Sequence, residues 1–293
     1  MPRRLIVLVA LAAGSVLAAL TSGPPSKNRH ASEFRPLLLR PTVARTISKP
    51  FLPMLIDLYW LRSLNAIGLS DTLEKNRALY EYGDVLTDLD PRFLQPYTFI
   101  GLAVPFPTGR DTWANVDLSE KLLRKGLQHF PENPQLHLYL GFNLFSYQHR
   151  YRDAAAVFAA AAKLPVTVPF AGFLATRLLA TDGSPQEGAA LAWEMAENSN
   201  DEVTREQFER RARALEIEAV LQHVDRAALA FSNAHGRPAT SLEELRTGGF
   251  YDGPAQDPSG GDISLQPDGR AKSTTLLHRV QIFTDSHPEL DPE

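Results

Sequence analysis

The chain has 293 residues, 44% of them apolar and 22% charged, which suits one large or two smaller globular domains. A net charge of −4 argues against a dedicated nucleic-acid binder, because phosphate recognition needs a basic face. The absence of cysteine removes disulfides, thiol nucleophiles, iron–sulfur clusters and lipid attachment through an N-terminal cysteine.

Met1-Pro2-Arg3-Arg4 is a short basic lead, followed by an unbroken apolar and small-residue run from Leu5 to Leu20 and then by TSGPPS. This is the layout of a membrane-targeting helix, either a signal peptide cleaved after Ala18 or an uncleaved signal anchor. The reading places the chain at a cell envelope, tethered to the membrane and facing the periplasm, or secreted there if the leader is cut. Residues 1–22 form this leader. Residues 23–50 read as a Pro-rich linker made basic by Lys27, Arg29, Arg35, Arg40, Arg45 and Lys49.

Residues 51–200 carry helical periodicity almost throughout. MLIDLYWLRSLNAIG puts Leu55, Leu58, Tyr59, Leu61 and Leu64 near one stripe. TLEKNRALYEYGDVLTDLDP predicts a helix stopping at Asp90, because a residue before proline leaves the α region. Further stops fall at Pro131 and Pro165, the last two only 34 residues apart. Between them PENPQLHLYLGFNLFSYQHRYRDAAAVFAAAAKLP is rich in small residues and bears no reactive group. Glycine and alanine on a helix let two backbones approach closely, while Tyr139, Leu140, Leu144 and Phe158 fill the remaining space.

A period of 34 with a helix pair per unit resembles the tetratricopeptide repeat superfamily over residues 53–198. The clearest unit runs from Pro134 to Pro165, with Leu140-Gly141 on its first helix and Ala154, Phe158 and Ala161 on its second. The unit before it, from about Phe93, carries extra residues around VPFPTG. The first, from about Pro53, lacks small residues on its second helix. A fourth, from about Val168 to Asn198, has Ala175, Ala189, Trp193 and Ala196, with Ser184 as the N-cap before Pro185. The resemblance implies that the first helix of each pair lines a groove for a protein partner. By position that face holds Arg62 and Asn65, then Gln95, Thr98 and Leu102, then Gln135, Leu138, Phe142 and Phe145, then Thr176. Phe142 and Phe145 are the expected aromatic anchors.

Residues 201–235 predict one long amphipathic helix or a pair, capped near Thr204 and stopped at Gly236, with Phe208, Ala212, Leu215, Ala219, Leu229 and Phe231 on the apolar face. Residues 236–293 change character. Ser241 caps a short helix, SLEELRTG, with Glu244 as its capping-box partner, and Pro267-Asp268-Gly269 joins two short strands. Residues 231–275, through Phe231, Gly236, Pro238, Ser241, Leu242, Leu245, Asp257, Pro258 and Gly260, resemble the C-terminal part of bacterial pseudopilins, without the pilin methylation signal.

The fold expected is mainly α: a TPR-like hairpin array with an N-terminal membrane-targeting helix and a small C-terminal α+β ribbon module. The eight histidines are scattered, none spaced as a helical ligand pair, and no phosphate loop or nucleophile motif is present. Asp257, Asp262 and Asp268 offer carboxylates for calcium or simply close turns. No cofactor, nucleic acid or small-molecule substrate is indicated. The expectation is a non-catalytic scaffold or adaptor of the envelope, engaged in pilus or secretion-system assembly. The alternatives are an envelope enzyme whose site is assembled from distant residues, and a structural subunit docking through its C-terminal module.

Overall fold

The structure is a computed structural model that describes residues 38–47, 49–164, 170–276 and 278–280. The leader and residues 23–37 of the linker lie outside these residues. Among the described residues no helix is long and apolar enough to cross a membrane.

The chain is mainly helical. A short helix α1, Pro41–Ile47, and a 3-10 turn, Lys49–Phe51, lead into α2, Leu52–Gly68, and α3, Leu73–Leu89. Next comes a helical stretch, 94–103; Pro96–Ile100 is wound as a π-helix and Gly101–Ala103 closes it as α4. After α5, Val116–His129, the helix α6, Pro134–Phe142, again continues as a π-helix over Asn143–Tyr147. Then come α7, Tyr151–Ala162; α8, Phe170–Thr181; α9, Pro185–Glu197; α10, Glu202–His235; and α11, Leu242–Thr247. Two antiparallel ribbons complete the fold: β1, Phe106–Pro107, with β2, Trp113–Ala114, and β3, Ile263–Leu265, with β4, Ala271–Ser273.

Short turns double the chain back, and each helix from α2 to α10 packs mainly on its neighbours in sequence. Small residues make the crossings. A Cβ on Gly141 would stand 2.6 Å from Phe158, and one on Gly188 would stand 2.8 Å from the Thr176 carbonyl oxygen. One continuous core therefore runs from Ala44 through Tyr59, Leu86, Tyr97, Leu122, Leu140 and Phe158 to Leu178. A second core, around Leu221, Val224, Phe231, Leu245 and Ile263, ties α11 and the β3–β4 ribbon to the far half of α10.

Caps and stops obey local chemistry in most places. Thr72 and Asn133 accept the hydrogen bonds of Lys75 N and Leu136 N, Asp90 ends α3, and Gly236 ends α10 in the left-handed region at φ 68°. Several expectations need correction. The cap of α10 is Asp201, whose carboxylate accepts from Thr204 N at 2.8 Å. Ser184 stands at the N-cap position of α9 as expected, but its side chain makes no cap hydrogen bond and its hydroxyl accepts from Arg152 Nη2 at 2.7 Å. Ser241 caps α11 as expected, but Glu244 reaches Thr240 N and Oγ1 in place of Ser241 N. Leu229 is 63% exposed and lies off the packed face of α10.

The linker is shorter than its proline content suggests. Ala44 is fully buried, Leu39 N donates to the Tyr59 hydroxyl at 3.0 Å, and Arg45 donates to the Asp88 carbonyl. Residues 38–47 and 49–50 thus belong to the folded body. The β1–β2 ribbon, formed by the extra residues around VPFPTG, also went unforeseen; its Trp113 packs on Tyr147 with ring centroids 4.4 Å apart.

Candidate functional site

The second helices α3, α5, α7 and α9 show charge outward. Lys125 pairs with Asp84 and Asp88 at 2.9 and 2.6 Å, and Arg152 pairs with Asp182 and Glu187 at 2.9 and 2.8 Å. Among the described residues, α5, α7 and α9 expose no large apolar side chain. The first helix of each pair does the opposite. Met54, Leu58 and Leu61 on α2, Phe99 and Leu102 on 94–103, Phe142 on α6 and Phe170 on α8 are each exposed by 39% or more. Burying such side chains recovers free energy at about 25 cal/mol per Å², so the first helices are a candidate contact surface.

The expected groove residues divide. Arg62, Asn65, Gln95, Leu102, Gln135 and Phe142 are exposed, with Gln135 donating to the Tyr139 hydroxyl at 2.8 Å. Leu138 and Phe145 are half-buried and packed on the core, Phe145 against the Tyr151 ring. Phe142 stands edge-on to the buried Phe158 ring and is 39% exposed, so of the expected aromatic pair it is the one that offers surface.

Two assignments are corrected. Thr98 is buried, and its hydroxyl donates to the Gln95 carbonyl at 3.1 Å. The π-winding of Pro96–Ile100 inserts extra backbone into the turn and rotates the residues along it, which turns Thr98 inward and Phe99 outward. Thr176 is fully buried because α10 crosses over it, with Arg211 Nε donating to its hydroxyl at 3.3 Å. Phe99 and the outer face of α2 escaped sequence reasoning. Their signal was present, since α2 is apolar on nearly every side.

The two π-turns carry polar neighbours that hold the first helices in place. Asn76 Nδ2 donates to Ala103 O at 2.9 Å and Ser119 Oγ to Gly101 O at 2.6 Å, so the last carbonyls of 94–103 are satisfied inside the core. Asn143 Nδ2 donates to that same Ser119 oxygen at 2.9 Å, linking the second π-turn to the first. Glu120 extends the network to Gln148 and Arg150; burial would raise its carboxyl, but these partners and Arg124 hold it below the usual range.

A cleft of about 570 Å³ opens between α9, α10 and the C-terminal module, lined by Trp193, Glu216, His223, Arg226 and Tyr251 among others. Trp193 Nε1 donates to Glu216 at 2.8 Å, and the His223 and Tyr251 rings meet edge to face at 5.2 Å. Asp257 is placed as a structural hub: its carboxylate accepts from Ser259 N, Gly261 N, Ser273 Oγ and Thr275 Oγ1. Asp268 accepts from Arg270 N, and Asp262 from Gln256. Among the described residues no group of three or more His, Asp or Glu is placed to hold a metal ion. Comparison of the chain with protein-family models, with curated proteins and with solved structures finds no match.

Proposed function

We propose that the protein is a non-catalytic scaffold or adaptor of the cell envelope, and that its α2-to-α8 hairpins form a tetratricopeptide-like array whose first helices grip a partner segment. One observation carries this reading: the exposed large apolar side chains of the hairpins gather on the first helices, whereas the second helices turn charge outward. A soluble surface gains nothing from such a division unless one face meets something. The side chains are held by buried cores and satisfied carbonyls, so little ordering cost remains to be met on binding. The N-terminal apolar run would keep the array near a membrane and raise its local concentration there. A role in pilus or secretion-system assembly rests on the resemblance of the C-terminal module alone.

Capture from envelope extracts tests the groove. Full-length protein should enrich a specific protein that the Leu102→Ser/Phe142→Ser variant loses at unchanged fold. The same set recovered with both proteins would overturn the reading.

A further inference from the structure

One face of α2 is committed to the body. Tyr59, Ser63 and Ala66 are buried, and Trp60 turns to Phe93 and Phe99 with ring centroids 5.3 and 6.2 Å away. Away from them runs a second stripe, Met54, Leu58, Leu61 and Asn65, spaced four, three and four residues apart, with Phe51 three residues before Met54. Phe51, Met54, Leu58 and Leu61 are each exposed by 43% or more, and Asn65 is exposed too. α2 is also the first of the helices that stack on their neighbours in sequence. The end of such a stack needs a polar outer face to stay soluble, and this one is apolar.

Alternating steps of three and four make the seam of a two-stranded coiled coil, with Phe51, Leu58 and Asn65 at one kind of core position and Met54 and Leu61 at the other. Asp57 and Arg62 stand on opposite edges of this seam, five residues apart. At that offset the charges of two parallel helices meet across a seam: Asp57 of one copy faces Arg62 of the other, twice by symmetry. Both side chains are exposed, and among the described residues neither forms an ion pair. An antiparallel pair centred on Leu58 and Leu61 would bring Asp57 to the same edge as the second copy's Asp57, so the charges select the parallel arrangement. Asn65 agrees with it, because a lone asparagine in the seam meets its own counterpart only when two parallel helices are in register.

We propose that two copies of the chain associate through α2 as a parallel helix pair, closed by Leu58, Leu61, Asn65 and two Asp57–Arg62 bridges. The stripe matches itself in spacing, charge and register, whereas an anionic lipid surface would be repelled by Asp57 at the seam's edge. The contact is about 25 Å long and one helix wide, at the low end of specific interfaces, so association in the micromolar range is expected. A parallel pair starts both copies of α2 at the same end, as two chains tethered in one membrane require. The dimer takes Arg62 and Asn65 out of the groove proposed above and leaves the partner segment the first helices from 94–103 onward. It needs neither Leu102 nor Phe142, and so stands or falls apart from the groove.

The chain lacks cysteine, so Leu61→Cys in the full-length protein places a single thiol in the seam. Mild oxidation at micromolar concentration should give a disulfide-linked dimer, whereas Glu187→Cys, exposed on α9, should stay monomeric. In the Leu61→Cys chain, Asp57→Arg and Arg62→Asp each turn both bridges into like-charge contacts and should slow dimer formation on the order of tenfold. Mixing those two variants should restore it, since each chain then meets its opposite charge. The charge sites are exposed, and the mixture serves as its own control for folding. Equal yields at Leu61 and Glu187, a Leu61 dimer that neither charge variant weakens, or a mixture no better than its parts overturns the proposal. So does a Leu61 thiol that labels slowly yet gives no dimer, the result expected of a lipid surface, of a different protein, or of residues 1–37 lying over the stripe.

Discussion

Gly141→Ala tests whether the helices nest through their small residues. Phe158 is fully buried, and a new Cβ would meet its ring atoms at 2.6, 2.6 and 2.9 Å, so the ring or the helix has to give. Forcing a methyl group into a packed core costs about 3 kcal/mol at the upper end of the usual range. Replacing glycine by alanine within a helix returns about 1 kcal/mol. The net expectation is a loss of about 2 kcal/mol, read by urea unfolding under circular dichroism as a lower midpoint at unchanged slope. The cycle with Phe158→Leu isolates the cause. In that background the clash is gone and Gly141→Ala should be neutral or stabilising, giving a coupling of about 2 kcal/mol. If Gly141→Ala stabilises the wild-type protein by about 1 kcal/mol, propensity alone is acting, and the close crossing of α6 and α7 is refuted.

Arg279→Ala would leave Glu218, which is fully buried, with Gln222 and Val280 N but without its cation, at a cost of about 3–5 kcal/mol in unfolding free energy. Glu218→Gln in the same chain should recover most of that loss. Burial pushes the Asp257 carboxyl up, but hydrogen bonds from Ser273, Thr275, Gly261 and Ser259 hold it below its ordinary value of 3.8. Its stabilisation is therefore complete above that value and lost as pH falls through the lower folded one, so amide exchange of Ile263–Leu265 should accelerate with acid below about pH 4. Asp257→Asn should remove that acid limb and cost about 2 kcal/mol at neutral pH, because buried donors lose their acceptor.

Helix positions were legible wherever stops and caps were local. Asp90 before Pro91, Gly236 and Ser241 each act within their own stretch of chain, so sequence alone located them, whereas the Asn133 cap before Pro134 was missed. The crossing at Gly141 was legible too, and its Cβ position meets the Phe158 ring of the adjacent helix; Gly188, which meets the Thr176 carbonyl, was not singled out. What failed was rotation about a helix axis. On α2, Tyr59 faces the core while Leu58, Leu61 and Leu64 face out, because an almost wholly apolar helix gives periodicity no contrast. The π-turns at Pro96–Ile100 and Asn143–Tyr147 shift the register by tertiary packing, which no local signal marks. Thr176 failed for another reason: its cover, Arg211, arrives from 35 residues away. A separation of 61 residues hid Arg279 and Glu218, whose pairing only the folded C-terminal module brings about.

Site-specific photocross-linking in cells puts the central claim to its most direct test. A photoreactive residue replaces Leu102 or Phe142 on the first-helix face, or exposed Arg124 or Glu187 on second helices. The account predicts one common protein adduct at Leu102 and Phe142 and none at the other two positions. Adducts confined to Arg124 and Glu187, or equal at all four, would contradict it.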